Sequence, residues 1–367
     1  MLRVIRAVVS FGLCVLALNA CGGGGSAPSQ PPPPNPLYVR TSGNDTNSGK
    51  DPANALRSIS KAAQIALSNY KIIVGAGTYT ESITTASTGQ APEGLQFIAD
   101  VTGAQTGDRS GPVVINASGT QAAGFKLFHS AGSLIDGFTI VGAADAGIVL
   151  KTHSDDFTIQ NCTISGGSGD GIRVQDSASV VIFNNLVYNN VGMGVGIVAA
   201  TSGSPNAIVV NNTIFSNGDR GITVGNAAIA STGAFIRNNI VEGNGIGSVP
   251  TLENIKVFTP PPNTVPRSDT NYMEDFNLVL PATYLPASLA GKHDLHQDAT
   301  FKNAGGGDFH LVANSPAINA GDSLNNLSTL ANFLRGRTTT GGTSCDQGAL
   351  DLGFHYAPSG RCTAVGP

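Results

Sequence analysis

The middle of the chain is a repeat of about 25 residues. Five strings of the form Gly-apolar-x-apolar begin at Gly124, Gly147, Gly171, Gly196 and Gly221. A second set of strings follows them and begins at Gly137, Asn161, Asn184, Asn211 and Asn238. Each unit holds short alternating apolar segments between glycine or asparagine turns, a pattern typical of strands. One unit cannot bury its apolar side alone, so the sequence predicts an all-β solenoid whose coils stack through parallel strands.

The asparagines of the second strings are predicted to form a hydrogen-bonded ladder along the solenoid axis. One helix is predicted over residues 54–70, where Leu56, Ile59, Ala63, Ala66 and Tyr70 share a face, and it is placed as the N-terminal cap of the solenoid. Beyond Gly245 the repeat weakens. We therefore predict a capped solenoid over residues 37–257 and an irregular, covering C-terminal segment over residues 258–367.

Residues 1–21 have the layout of a secretory signal, with Arg3 and Arg6 ahead of an apolar run. The run ends in Leu18-Asn19-Ala20-Cys21, which resembles a bacterial lipobox and implies a lipid anchor on Cys21. The alternative is an ordinary signal peptide with an incidental cysteine. Residues 22–36 are rich in Gly, Ser and Pro and are expected to form a tether. Together these features predict export to the bacterial cell envelope, with the protein at the outer membrane or cell surface.

Charge and cysteine content add expectations about binding partners and disulfide bonds. Twenty Lys and Arg face 24 Asp and Glu, a net charge of −4, so nucleic acid is not expected as a partner. In an oxidising compartment Cys345 and Cys362, 17 residues apart, could form a disulfide. Cys162 falls inside the repeat and is expected to be buried. A capped solenoid can remain a monomer, which is the expectation here.

The N-terminal part, LYVRTSGNDTNSGKDPANALRSISKAAQIA followed by IIVGAGTYTESI, resembles the opening of right-handed parallel β-helix proteins of the polysaccharide lyase family 9 and chondroitinase B type. The C-terminal strings DFHLVANSPAINAGD and DQGALDLGFHY resemble the closing segment of bacterial surface β-helix proteins that carry a choice-of-anchor module. The resemblance implies a right-handed parallel β-helix that binds or acts on acidic polysaccharide.

Elimination on a uronate polymer needs a cation beside the sugar carboxylate and a base for the neighbouring carbon-bound proton. Outward positions of the repeat are predicted at Lys126, Val149, Arg173, Val198, Thr223 and Lys256, with Lys151 at the edge of the same face. Lys126, Lys151 and Arg173 are therefore the catalytic candidates. The resemblance implies a lysine base, for which it nominates Lys151, and calcium ligands, for which it nominates Asp145, Asp155, Asp156 and Asp170. The alternative is that all these groups are solvated surface charges.

A second constellation lies eight residues before the anchors of the second strings, at His129, His153 and Asp176. In stacked coils these side chains would be close enough to share a divalent metal or to form an acid–base pair. Two alternatives stand against this: solenoid turns often stack like residues without a ligand, and one inserted residue between Gly147 and Asn161 would break the alignment.

Two functions stay open from the sequence. The first is a surface-anchored lyase or epimerase of uronate polymers. The second is a non-catalytic surface protein that binds glycans or matrix, for which a low-charge solenoid with a lipid tether is sufficient.

Overall fold

The computed structural model describes residues 35–85, 91–119, 123–226, 233–245, 252–258, 273–285 and 287–359. Within these ranges the fold is the predicted right-handed parallel β-helix, with three parallel sheets of nine, eight and eight strands. Consecutive coils contribute one strand to each sheet: apart from the edge strands, each strand pairs with its counterparts one coil earlier and one coil later. No helix in the described ranges is long and apolar enough to cross a membrane.

Sheet A consists of β1 Pro36–Val39, β2 Lys71–Gly75, β5 Gln96–Asp100, β8 Leu134–Asp136, β11 Thr158–Gln160, β14 Val181–Phe183, β17 Ile208–Val210, β20 Phe235–Arg237 and β23 Met273–Asp275. Sheet B consists of β3 Gly77–Tyr79, β6 Val113–Asn116, β9 Thr139–Val141, β12 Thr163–Ser165, β15 Leu186–Tyr188, β18 Thr213–Phe215, β21 Ile240–Glu242 and β24 Leu278–Leu280. Sheet C consists of β4 Ile83–Thr84, β7 Ala123–Phe128, β10 Ala146–Lys151, β13 Asp170–Gln175, β16 Val195–Val198, β19 Ile222–Val224, β22 Ile255–Val257 and β25 Tyr284–Leu285. The last coil therefore lies beyond residue 257.

Outside the coils, β26 Phe301–Asn303 and β27 Asp308–Leu311 form an antiparallel pair. The α-helices are α1 Ile59–Ile65 and α2 Ser328–Arg335, and short 3₁₀ helices span Pro52–Asn54, Ala287–Leu289, Ala304–Gly306 and Asn325–Leu327.

Helix α1 is shorter than the predicted 54–70 because both of its ends are fixed. The Ser58 hydroxyl accepts the Lys61 N–H as an N-cap, and the Glu81 carboxylate accepts the backbone N–H of Ile59 and Ser60. At the other end Ala66 adopts an extended conformation. The buried Ile59 lies against the first coils, so the helix occupies the predicted capping position.

The register of the repeat is set by glycine at one strand position. Val195 pairs with Ile172 and with Ile222, so Gly194 occupies the position of Gly171, and the prediction of Gly196 was wrong by two residues. A Cβ atom at Gly194 would lie 2.7 Å from the carbonyl oxygen of the next coil, as it would at Gly171 (2.6 Å). The neighbouring backbone thus excludes any side chain there.

Two asparagine ladders hold the coils together inside the solenoid. In the first, the side-chain amides of successive coils donate to one another over 2.9–3.0 Å, through Asn185, Asn212, Asn239 and Asn277. The second runs in the same way through Asn190, Asn217 and Asn244, and Asn244 donates in turn to Asn254, which precedes β22 of the same coil. The two ladders satisfy the hydrogen-bonding groups of asparagine side chains that are buried between the coils.

The asparagines predicted for the ladder play a different part. Asn184 donates to Asn161 over 2.8 Å, which continues a short ladder. However, Asn211 donates to the carbonyl oxygen of Asp351 and Asn238 to that of Asp322. The first asparagine of the pair points outward and binds the C-terminal segment, whereas the second points inward.

The C-terminal segment, residues 287–359, folds back over the solenoid. Within it Cys345 is disulfide-bonded, while its predicted partner Cys362 lies outside the described residues. Cys162 is buried with a free thiol. The predicted signal, Cys21 and residues 22–34 of the predicted tether also lie outside the described residues.

Candidate functional site

The C-terminal segment covers part of the outer faces of sheets A and B, on the later coils. On sheet A, Phe183 and its outward neighbours pack against α2 and the turn before it; this apolar cluster consists of Val181, Phe183, Ile208, Val210, Leu324, Leu327, Leu330, Ala331, Leu334 and Leu350. On sheet B, Tyr188 and Phe215 contact the ring of Phe309 at 4.7 and 5.3 Å between centroids. The outer face of sheet C carries charged groups instead.

Strand pairing defines a column of outward positions on sheet C. Lys126 pairs with Val149, Val149 with Arg173, and Arg173 with Gly196. The column continues through Thr223 to Lys256, as predicted. Val198 faces outward as predicted but lies in the next outward column, where it pairs with Gln175; the two-residue register error had aligned it with Arg173.

Four of the nominated residues form one ionic cluster, which we call the sheet-C cluster: Lys126, Asp145, Asp170 and Arg173. Arg173 bonds the carboxylates of both Asp145 and Asp170 at 2.7 Å, and Lys126 lies 3.7 Å from Asp145. Burial favours the neutral form of Arg173, but the hydrogen bond to Asp170 and the two carboxylate charges outweigh this effect and raise its pKa. The cluster is therefore fixed in position and nearly neutral overall.

Lys151 lies on the same outer face, in the column of Phe128 and Gln175. Within the described residues it has no carboxylate within 4.0 Å of its amine. Its side chain is half-buried. Of the three catalytic candidates, Lys151 is thus the one that no carboxylate of the described residues engages.

The predicted histidine constellation is only partly brought together. The rings of His129 and His153 lie 6.1 Å apart. Asp176 turns away from them: its Oδ1 atom accepts backbone N–H groups from residues 200–203. Burial alone would raise the pKa of Asp176, but these bonds lower it to about 2.

An extra residue explains the offset of that constellation. A serine ladder aligns Ser130, Ser154 and Ser177, and two residues separate Lys151 from Ser154 where the neighbouring coils have one. The coil of His153 is therefore one residue longer at this turn, which is the insertion considered from the sequence. Nearby, Asp155 accepts the Ala178 N–H over 2.6 Å.

The carboxylates nominated for calcium do not fit such a site in this arrangement. Asp145 and Asp170 are both bonded to Arg173, and Asp176 is surrounded by N–H donors. Asp155 and Asp156 lie in the turn after sheet C, where burial and the charge of Asp155 raise the pKa of Asp156. Calcium requires several oxygens that converge on one point, and we assign no chemical step to it.

Sequence reasoning missed a second ionic cluster on sheet C, two coils further along. Arg220 bonds Asp219 at 3.1 Å and Glu253 at 2.8 Å, and Lys256 lies 3.9 Å from Glu253. The available signal was the residue just before the recurring glycine of the repeat, since Arg220 precedes Gly221. Charged groups thus continue along most of the length of this face.

A match to one protein family agrees with this fold. Residues 98–204 match a protein family described as right handed beta helix region. The structure is similar to pectate lyase Pel9A (17% identity, 86% of this chain and 96% of that chain, TM-score 0.46) and to a rhamnogalacturonan lyase (12%, 73% and 90%, 0.44).

A third similar structure is the A-module of the mannuronan C-5 epimerase AlgE4 from Azotobacter vinelandii (13% identity, 70% of this chain and 69% of that chain, TM-score 0.35). No curated protein sequence matches the chain. The chain is a right-handed parallel β-helix protein.

Proposed function

We propose that the outer face of sheet C binds an acidic polysaccharide. The observation that carries the proposal is the placement of Lys126, Lys151 and Arg173 on three successive coils, on the face that the apolar clusters of the C-terminal segment leave to charged groups. Successive coils stack about 4.8 Å apart, so cations recur at regular distances along the axis. Such a surface suits a polymer whose carboxylates also recur.

We further propose that the bound polymer is a uronate polymer and that the site catalyses elimination. Lys126 and Arg173 would neutralise the sugar carboxylate, which makes the proton on the adjacent carbon more acidic. Lys151, in its neutral form, would accept this proton on Nζ. The bond from the next carbon to the glycosidic oxygen would break as the double bond forms, and water would protonate the leaving oxygen. An epimerase would share the proton removal and return a proton to the opposite face.

The test is a turnover assay of the full-length protein on a panel of uronate polymers, with and without calcium, following absorbance of the unsaturated product. We expect product from the unaltered protein and a loss of about a hundredfold or more in Lys151→Ala, the range for a general base. Lys50→Ala is the matched control, because Lys50 is exposed on the N-terminal loop. Unsaturated product at equal rates from both variants would reject Lys151 as the base.

A non-catalytic role is the second candidate, and one observation favours it. The Arg173 guanidinium is already held by two carboxylates of this chain, so it is less available to a substrate carboxylate. A binding protein predicts polymer binding that weakens with salt and no product on any polymer. Absence of binding at low salt across the panel would reject both candidates.

We also propose that Cys21 carries a lipid anchor that places the protein at the outer membrane of a bacterial cell. The lipobox-like residues 18–21 support this proposal. We expect the unaltered protein in the membrane fraction and Cys21→Ala in the soluble fraction. Equal membrane association of both would contradict the anchor.

A further inference from the structure

The C-terminal segment contains a buried group of ligand-type side chains that lies apart from the sheet-C cluster. One donor atom each from Asp346, Asp351 and His355 lies within 4.8 Å of the others. The side chains of Asp346 and His355 have no exposed surface. The group lies where the segment meets the coils, since the His355 backbone N–H donates to the side chain of Asn184 over 2.6 Å.

The hydrogen bonds of His355 require a cation between it and Asp346. Its Nδ1 atom lies 2.9 Å from the carbonyl oxygen of Gly353, which can only accept, so Nδ1 carries a proton. The Nε2 atom of a neutral ring is then an acceptor, and it lies 2.9 Å from Oδ2 of Asp346. Two acceptors at this distance need a proton or a metal ion between them.

A second observation concerns the other oxygen of Asp346. Oδ1 is buried and has no hydrogen-bond partner in the structure. An unpartnered carboxylate oxygen in such a place is costly unless a ligand satisfies it. A surface pocket lined by Thr339, Ser344, Asp346 and Asp351 reaches the two carboxylates and provides a route for an ion.

We propose that Asp346, Asp351 and His355 bind a divalent transition-metal ion of the Zn²⁺ type. A proton on His355 would compensate one of the two buried carboxylates, whereas a divalent ion compensates both and leaves the imidazole neutral. One nitrogen and two carboxylate donors suit Zn²⁺, while Ca²⁺ and Mg²⁺ favour oxygen alone.

The surroundings of the donors support a metal site. The bond from His355 Nδ1 to Gly353 fixes the ring so that Nε2 faces the carboxylates. Asp351 is oriented by the Asn319 N–H over 2.7 Å and by the Thr339 hydroxyl. Outer hydrogen bonds of this kind hold the first ligands of metal sites in place.

The consequence of metal binding would be to fasten the C-terminal segment to the solenoid. The backbone of Asp351 accepts the amide of Asn211, and the backbone of His355 bonds Asn184 in both directions. An ion that ties these two residues together therefore stabilises the covered state of sheet A and does not touch sheet C.

The experiment uses the full-length protein treated with EDTA and then titrated with Zn²⁺ or, for its spectrum, Co²⁺. We expect one equivalent of metal per chain by elemental analysis and a rise in Tm of about 5 °C or more when free Zn²⁺ exceeds its Kd a hundredfold. Ca²⁺ at the same concentration should leave Tm unchanged. The variants Asp346→Asn and His355→Gln should no longer bind this equivalent of metal.

The matched control is His293→Gln, since His293 also bonds a carboxylate, that of Asp275, at 2.9 Å, but lies outside the group. It should keep the full equivalent. If the unaltered protein binds no Zn²⁺ and its Tm does not respond, a shared proton holds His355 and Asp346 together and the proposal is wrong. Bound metal that persists in folded His355→Gln would equally overturn it.

Discussion

The covered outer face of sheet A and the charged outer face of sheet C belong to the same coils. Their inward residues are alike: Ile182 on sheet A and Ile172 on sheet C are fully buried in one core. Their outward residues differ, because sheet A presents Phe183 to α2 whereas sheet C presents Arg173 to two carboxylates. The fold requires only that the inward residues are apolar. The outward residues therefore determine which face the C-terminal segment covers.

The largest loss of stability is expected when a side chain is removed from the covered face of sheet A. Phe183→Ala removes a fully buried ring that lies 5.5 Å from Phe333 of α2, and should lower the free energy of unfolding by about 3–5 kcal/mol. Thr223→Ala is the comparison on sheet C, where the buried hydroxyl has no partner among the described residues, and it should be nearly neutral. Denaturant unfolding measures both. Similar losses in the two variants would remove the distinction between the faces.

An intermediate effect is expected from Glu242 on sheet B, which accepts the Ala299 N–H of the C-terminal segment over 3.1 Å. Burial raises its pKa from 4.5 to about 7, despite that bond. The folded state therefore holds a proton that the unfolded state has released, so this contribution is full below pH 4.5 and is lost as pH rises through 7.

The measurement is Tm against pH for the unaltered protein and Glu242→Gln. The variant should lose less stability between pH 5 and pH 8, because glutamine carries no proton to release. Identical pH profiles would show that the protonation of Glu242 does not contribute to the pH dependence of stability.

The smallest effect on stability is expected on the charged face. Arg173 keeps 22% of its side chain exposed, so Arg173→Gln should cost about 1 kcal/mol in unfolding free energy while weakening polymer binding at low salt. Arg220→Gln, in the second ionic cluster, is measured in the same two ways. It tests whether the loss of polymer binding depends on where along the axis the cation lies. An unfolding loss as large as that of Phe183→Ala would mean that sheet C is built for stability.

The repeat made the fold predictable because each coil meets the same steric demands. Glycine recurs where the next backbone passes within van der Waals distance, and apolar residues recur wherever a strand faces the core. The strand register failed near Gly194 and Gly196, since glycines at alternate positions 192, 194 and 196 offer more than one alignment. Stacking, which the linear sequence does not display, selects between them.

The sites were less predictable, for a physical reason. Lys126, Asp145 and Arg173 meet because residues about 24 apart along the chain become neighbours between coils, so the repeat period carries that information. Asp346 and His355 lie in a segment without a period, and their approach depends on where the segment docks. Periodicity thus predicts contacts between coils but none within the cover.

The asparagine ladder also bears on how such a chain can lengthen. Asn212 accepts an amide from Asn185 and donates its own to Asn239, 27 residues away on each side. Each coil therefore brings one donor and one acceptor, and a tandem duplication of a single coil would leave neither unmatched. A coil of the interior can therefore be duplicated without any change in the neighbouring coils. The two ends of the solenoid lack this matching, so their caps cannot arise by duplication of a coil.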